Sequence, residues 1–150
     1  MWHDYFGNAT IYLMDILDIS RVIDELIDNP RIKLYTSVNA YDEDFFNNNI
    51  LNKNVKFDML LDDGPHTLES MKQFIILYSQ LIADDGILMI EDIQSMEWTE
   101  ILISVVPDNL KKYVSIYDLR KNKNKYDDIV LVINKSNKYF DYDIKKYNMP

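Results

Sequence analysis

Two short apolar runs that break off in acidic residues organise this chain: Phe57-Asp-Met-Leu-Leu-Asp-Asp-Gly-Pro-His66 and Gly86-Ile-Leu-Met-Ile-Glu-Asp92. An apolar run with its polar residues gathered at one end is the pattern of a strand buried on both faces. Between the two runs, Thr67 to Ile82 has helical character over about the length of a crossover. Thr67 is its N-cap, with Ser70 the weaker alternative. Together the segments predict a βαβ unit whose strands run parallel in one sheet. Adjacent strands would bring their C-terminal tips to within roughly 5 Å of each other. Asp62, Asp63, Glu91 and Asp92 then share one rim, the rim where open α/β sheets bind ligands. Two carboxylates about 4 Å apart repel by roughly 4 kcal/mol at a surface-like effective dielectric. Such a cluster demands a cation or a proton.

The flanking pattern extends the alternation. A helix over Met1 to Tyr5 leads through Gly7-Asn8 into a strand from Thr10 to Asp15. Ser20 is placed to cap a helix from Arg21 to about Asp28, which Asn29-Pro30 stops. Arg31 to Thr36 alternates as a strand, and Tyr41 to Asn49 is polar and aromatic with room for one helical turn. Asp84-Asp85-Gly86 predicts a turn before the strand at Ile87, its glycine free to take a positive φ. Trp98 to Val106 reads as a helix ended before Pro107, with Trp98, Ile101 and Leu102 on a core face. Tyr113 to Leu119 and Asp128 to Asn134 read as closing strands, their spacing suited to an antiparallel hairpin. The basic run Lys121 to Lys125 between them reads as a solvated turn, and the tail after Lys138 has no period. The expected class is α/β: a largely parallel sheet with helices on both faces and a C-terminal antiparallel hairpin.

Composition narrows the function. At 150 residues, 47% apolar and 27% charged, the chain has the size and make-up of one soluble globular domain. A net charge of -9 argues against a nucleic-acid partner, since phosphate binding needs a basic footprint. No apolar run approaches the ~20 residues that span a bilayer, so no membrane partner is expected. The chain has no cysteine, which excludes disulfides, zinc–thiolate sites and cysteine nucleophiles and suits the expected cytoplasmic location.

The same residues carry a family resemblance. Phe57 to His66 is similar to the Asp-Asp-Gly-Ser-His strand end of class I S-adenosylmethionine-dependent methyltransferases, with Pro65 in place of the Ser. Ile90-Glu-Asp-Ile93 resembles their Ile-Glu-Asp turn, and Trp2 to Asp15 their first helix and second strand. Tyr117-Asp-Leu-Arg120 with Tyr126-Asp-Asp128 resembles their final hairpin. Within the class the likeness is to metal-dependent O-methyltransferases of the macrolide-sugar (mycinamicin-type) kind and their phage relatives, over roughly Met1 to Lys138. It implies a three-layer Rossmann-like sheet in a methyltransferase-like domain over 1–138, with 139–150 as a tail. One departure stands out. The family cradles the cofactor's methionine and ribose in a Gly-rich turn after its first strand. None of the three glycines here, Gly7, Gly64 and Gly86, lies in such a turn. The resemblance places that first strand between the strands ending at Asp15 and Asp62. Buried orphan backbone groups cost roughly 1–3 kcal/mol each, so the expectation is an N-terminally incomplete domain. Its gap is closed by those two strands, by a missing N-terminal segment, or by another copy in a homo-oligomer.

What the resemblance implies for single residues follows. Asp63, Glu91 and Asp92 match the family's ligands for Mg²⁺ or Mn²⁺, ions that suit all-oxygen sets; the plain alternative is solvated strand ends. His66 matches the general base that takes the acceptor hydroxyl's proton, a task suited to imidazole chemistry near neutral pH. Its alternative is to cap the helix at Thr67, and His3 reads as a surface residue. Asp15 matches the acid that accepts hydrogen bonds from the cofactor ribose, its alternative being an acid favourable to the next helix's dipole; Asn39, with Tyr41 behind it, matches a polar residue on the adenine side, its alternative being a turn role. Asp62 is placed to cap the following turn or to hydrogen-bond backbone amides. The expected function is S-adenosylmethionine-dependent, Mg²⁺-assisted O-methylation of a small hydroxylated acceptor such as a sugar. The alternative is a non-catalytic methyltransferase-like binding or assembly module.

Overall fold

The computed structural model describes residues 2–123 and 127–136. The chain divides into two compact units, Met1–Asn52 and Lys53–Pro150.

In the first unit, β1 (Ile11–Met14) and β2 (Ile32–Tyr35) pair in parallel, Ile11 opposite Ile32 and Met14 opposite Tyr35. The ladder runs on at both ends, from Ile11 N–H to the Arg31 carbonyl and from Asp15 N–H to the Tyr35 carbonyl. A single turn of helix, α1 (Trp2–Tyr5), is tied to this pair by Arg31. Its guanidinium donates to the carbonyls of His3 (2.9 Å), Phe6 (3.0 Å) and Ala9 (3.4 Å). The His3 carbonyl lies in the last turn of α1, where a helix end leaves carbonyls without intrahelical donors.

The helix expected over 21–28 with Ser20 as its cap does not form. Asp18 instead caps a 3₁₀ turn over Ile19–Arg21, its carboxylate accepting the Ser20 N–H at 2.9 Å. That N–H holds the Asp18 carboxyl below the usual carboxylate range. Val22 and Ile23 then run extended, and only α2 (Asp24–Ile27) is helical. The physical reason is local: an Asp two residues ahead of Ser20 captures its amide first, and two β-branched residues in a row favour extended backbone. The segment before Asn49 is more helical than expected. Its α3 (Glu43–Asn49) is capped by Asp42, which accepts the Phe45 N–H at 2.7 Å, and it buries Phe46.

The second unit contains the expected crossover. β3 (Phe57–Asp62) and β4 (Ile82–Ile90) are parallel neighbours, Leu60 opposite Leu88 and Asp62 opposite Ile90. They are joined through α4 (Leu68–Tyr78). Thr67 caps α4, and Ser70 completes a reciprocal capping box with it. α5 (Met96–Val105) starts at a Ser95 cap, two residues earlier than expected, and stops ahead of Pro107 as expected. The closing strands β5 (Val114–Asp118) and β6 (Ile129–Asn134) are antiparallel, and β6 is also antiparallel to β4, giving the order β3-β4-β6-β5. Where a solvated turn was expected, a short helical turn, α6 (Arg120–Lys123), follows β5. Lys125, Tyr126 and the tail over 139–150 lie outside the described residues. Leu88, Ile90, Leu131 and Ile133 line the buried face of the sheet, while Ile75 of α4 and Leu102 of α5 are also fully buried.

Two expectations change here. The single sheet resolves into two hydrogen-bonded sheets, and among the described residues no strand pairs with both β1 and β3. Asp84-Asp85-Gly86 is not a turn but part of β4, and Gly86 has no positive φ. The glycine is required for a different reason. The β3–β4 register shifts between Phe57 and Met59, and a Cβ on Gly86 would lie 2.7 Å from the Phe57 carbonyl oxygen and 3.0 Å from the Ala83 nitrogen. Both obstacles are backbone, so the strands must part to admit a methyl group. Gly86→Ala is therefore expected to destabilise the unit by about 1–3 kcal/mol, read as a lower urea midpoint with an unchanged m-value.

Among the described residues, no helix is long and apolar enough to cross a membrane.

Candidate functional site

The ends of β3 and β4 build the second unit's rim. The parallel ladder continues past the strands, with the Glu91 N–H donating to the Asp62 carbonyl at 3.1 Å. Beyond it the backbone turns sharply. Asp92 and His66 both adopt left-handed backbone, φ 53° and 51°, a region that Asp and His enter more readily than most residues. Asp92 is followed by Ile93, whose N–H donates to the Ile129 carbonyl of β6 at 3.0 Å. His66 is braced from the same turn, its carbonyl accepting the Gln94 Nε2 at 3.0 Å. Sequence reasoning missed Gln94; its place two residues after Asp92, in the rim turn, is the signal that could have found it.

These turns bring three side chains together. His66 Nε2 stands 3.3 Å from Asp63 Oδ1 and 3.9 Å from Asp92 Oδ2. One ligand atom from each of Asp63, His66 and Asp92 lies within 4.8 Å of the other two. The three are half-buried to exposed, as a site open to a ligand requires. Two carboxylate oxygens and one imidazole nitrogen are a donor set a divalent ion can accept. Ligands of one ion at about 2.1 Å stand about 3 Å apart when adjacent in an octahedron and about 4.2 Å when opposite. The two measured separations fall between those limits. Glu91 lies outside this cluster. Its N–H continues the ladder to the Asp62 carbonyl, and the left-handed turn follows at Asp92.

Asp62 is buried, 6% exposed, beneath the rim. Its charge acts on Tyr78 of α4, a fully buried ring stacked on Phe74 at 4.9 Å. Burial first, and the Asp62 charge second, push the Tyr78 hydroxyl's pKa well up from its ordinary 10.0. The folded state therefore keeps that proton at pH values where the unfolded chain releases it. The stability tied to it is complete below about pH 10 and is lost as pH rises above that value. Tyr78→Phe is expected to flatten this alkaline loss, measured as the difference in urea midpoint between pH 8 and pH 11.

Asp15 and Asn39 belong to the first unit, at the C-terminal ends of β1 and β2. Both are exposed. Asp15 Oδ1 accepts the Leu17 N–H at 2.9 Å and Asn39 Oδ1 accepts the Tyr41 N–H at 3.0 Å. The Val38 N–H donates to the Asp15 carbonyl at 3.1 Å, which joins the two loops at that rim. His3 is not the surface residue expected. It is half-buried and, with Trp2, Ile11, Leu13, Leu26 and Ile32, lines an apolar pocket of about 130 Å³. Trp98 is half-buried and Leu102 fully buried, whereas Ile101, placed on the same core face by its spacing, is exposed.

No family model matches the chain, and no curated protein matches it in sequence. Solved structures do share its fold. One is the MycE methyltransferase of the mycinamycin biosynthetic pathway in complex with Mg, SAH and mycinamycin VI, at a TM-score of 0.62 and 18% identity, covering 89% of this chain and 38% of that one. A second structure of MycE, with Mg and SAH, matches at a TM-score of 0.62 and 17% identity over 92% of this chain and 40% of that one. The chain thus spans about two fifths of the length of the structures it matches. At this identity the likeness defines the fold alone, α/β and Rossmann-like, as the alternation of strands and helices predicts.

Proposed function

We propose that this chain is part of an S-adenosylmethionine-dependent O-methyltransferase, assisted by a divalent ion and acting on a small hydroxylated acceptor such as a sugar. The observation that carries the reading is the convergence of Asp63, His66 and Asp92 at the tips of two adjacent parallel strands, in a fold shared with a methyltransferase solved with Mg and SAH. In this reading Asp63 and Asp92 hold the ion, with Glu91 on the same rim. Asp15 receives the cofactor's ribose hydroxyls, and Asn39 borders its adenine. A bound ion lowers the pKa of an acceptor hydroxyl and fixes its direction. The chain's own residues supply position: aligning two reactants accounts for much of the acceleration in a transfer that needs little else. His66 has two roles open to it there, removal of the acceptor's proton or ligation of the ion beside the aspartates. Partners in this reading are the acceptor and either a further copy or a further segment that completes the cofactor site, in a cytoplasmic setting.

The test is a map of amide shifts on the isotopically labelled chain. Millimolar S-adenosylhomocysteine is expected to move the amides of Leu17 and Tyr41, which donate to Asp15 and Asn39. A divalent ion is expected to move those of Gly64 and Ile93. Shifts at neither rim would end the proposal.

A further inference from the structure

We infer that the segment 137–150 is the cover of the second face of the β3-β4-β6-β5 sheet, its aromatic and aliphatic side chains lying on Met59, Leu61, Ile87, Met89 and Val130. The inference concerns one unit alone and stands apart from the reading above.

The two faces of that sheet are unequally covered. Along β4, Leu88 and Ile90 are fully buried, whereas Ile87 and Met89 are only half-buried. Their partners in register repeat the difference: on β3, Leu60 is buried while Met59 is exposed and Leu61 half-buried. On β6, Val130 is half-buried, and Val132, opposite Met89, is the buried residue of this side. Successive residues of a strand point to opposite faces, so the half-buried set shares one face. α4 and α5 pack against each other and therefore occupy the other, fully buried one. Among the described residues of this unit, no further helix is longer than four residues. A face meant for water carries polar residues in alternation with the apolar ones beneath. Here, from Met59 to Leu61 and from Ile87 to Met89, both strands put only apolar residues on that side. The face is built to be covered.

Area, composition and reach select the occupant. The five side chains leave on the order of 300 Å² open, the size of a single functional patch and well short of the roughly 800 Å² that each copy of a stable dimer buries. A short segment is the cover in proportion to it. Residues 137–150 include Tyr139, Phe140, Tyr142, Ile144, Tyr147 and Met149, and a segment that stays in water is poor in aromatic residues. The segment also starts in the right place. β6, which leads into it, is an inner strand, and past its end the Lys135 N–H still donates to the Gly86 carbonyl of β4 at 3.0 Å. Asn134 Oδ1 then accepts the Ser136 N–H at 2.9 Å, an Asx turn that ends the strand. From there the segment reaches about 46 Å if extended and about 21 Å if helical, and a six-residue strand is roughly 20 Å long. Either form crosses the face.

The experiment uses the full 150-residue chain with ¹³C-labelled methionine methyl groups. The Met59 and Met89 methyls are expected to show nuclear Overhauser cross-peaks to ring protons of Tyr139, Phe140, Tyr142 or Tyr147. Replacing Phe140 and Ile144 together by Ser is expected to remove cross-peaks to residue 140 and to move both methyl signals toward their unfolded-chain positions. Met71, fully buried on α4, should keep its shift in that variant, which separates loss of the cover from loss of the fold. Absence of cross-peaks from both methyls to the segment in the unmodified chain would overturn the inference, and this measurement stands even where the variant fails to fold. A sample that mixes copies carrying labelled methionine in a deuterated background with protonated, unlabelled copies tests the source of the cover. Cross-peaks that arise only between copies would overturn the assignment to the chain's own segment, whereas cross-peaks confined to single copies bear it out.

Discussion

Replacing Asp63 and Asp92 together by Asn is expected to abolish paramagnetic broadening by Mn²⁺ at Gly64 and Ile93. Each substitution keeps the shape of the side chain and removes its charge. Asn also enters left-handed backbone readily, so the turn at Asp92, φ 53°, tolerates the change. Two charged contacts to an ion, each counted at only about 1.5–3 kcal/mol, sum to about 3–6 kcal/mol, or two to four powers of ten in affinity. In the ion-free chain the effect should run the other way. Asp63 and Asp92 crowd one point of the rim, and neutralising like charges relieves repulsion. The double variant is therefore expected to be at least as stable in urea as the parent, which separates loss of a ligand set from loss of fold. Broadening that survives in a folded double variant would remove the ion from the account.

The crossover was legible because several signals agreed on it. Leu60, Leu88 and Ile90 sit in runs apolar enough for burial on both faces, Thr67 and Ser70 form a cap, and the acids fall at the strand ends, where the parallel register Asp62–Ile90 places them. Less legible were features in which one local contact outcompetes a pattern. Asp18 takes the Ser20 amide and dissolves the expected helix cap. Gly86 suggests a turn in sequence, yet its role is to let the Phe57 carbonyl approach, a contact made across the sheet register. The rim itself was half legible. Acid content showed that a cluster forms, but not which acids face one another. That is set by a backbone reversal at Asp92, and only the geometry separates Asp92 from Glu91. Arg31 carries no motif. It joins α1 to β2 through carbonyls more than twenty residues away, and backbone acceptors leave no trace in the identity of the residues that offer them.

Assayed alone, the 150-residue chain is expected to bind S-adenosylhomocysteine only in the millimolar range and to show no methyl transfer. The contacts proposed for the nucleoside end are few. Asp15 and Asn39 each already use Oδ1 on a neighbouring backbone amide, and Asp15 has its second oxygen to offer a ribose diol. One charged contact of about 1.5–3 kcal/mol, with modest stacking of the adenine, reaches about 4 kcal/mol, which corresponds to a dissociation constant near 1 mM. In the family that the sequence resembles the methionine end sits in a Gly-rich cradle, and none of Gly7, Gly64 and Gly86 lies in such a turn. Asp15→Ala should therefore erase the shifts that millimolar ligand causes at Leu17, while Asp63→Asn should leave them in place. Fusing a strand and a Gly-rich turn ahead of Met1 is expected to tighten binding by several powers of ten, because such a turn would add two or three charge-assisted hydrogen bonds. A micromolar constant for the unfused chain, by calorimetry, would show that it holds the cofactor by contacts other than these.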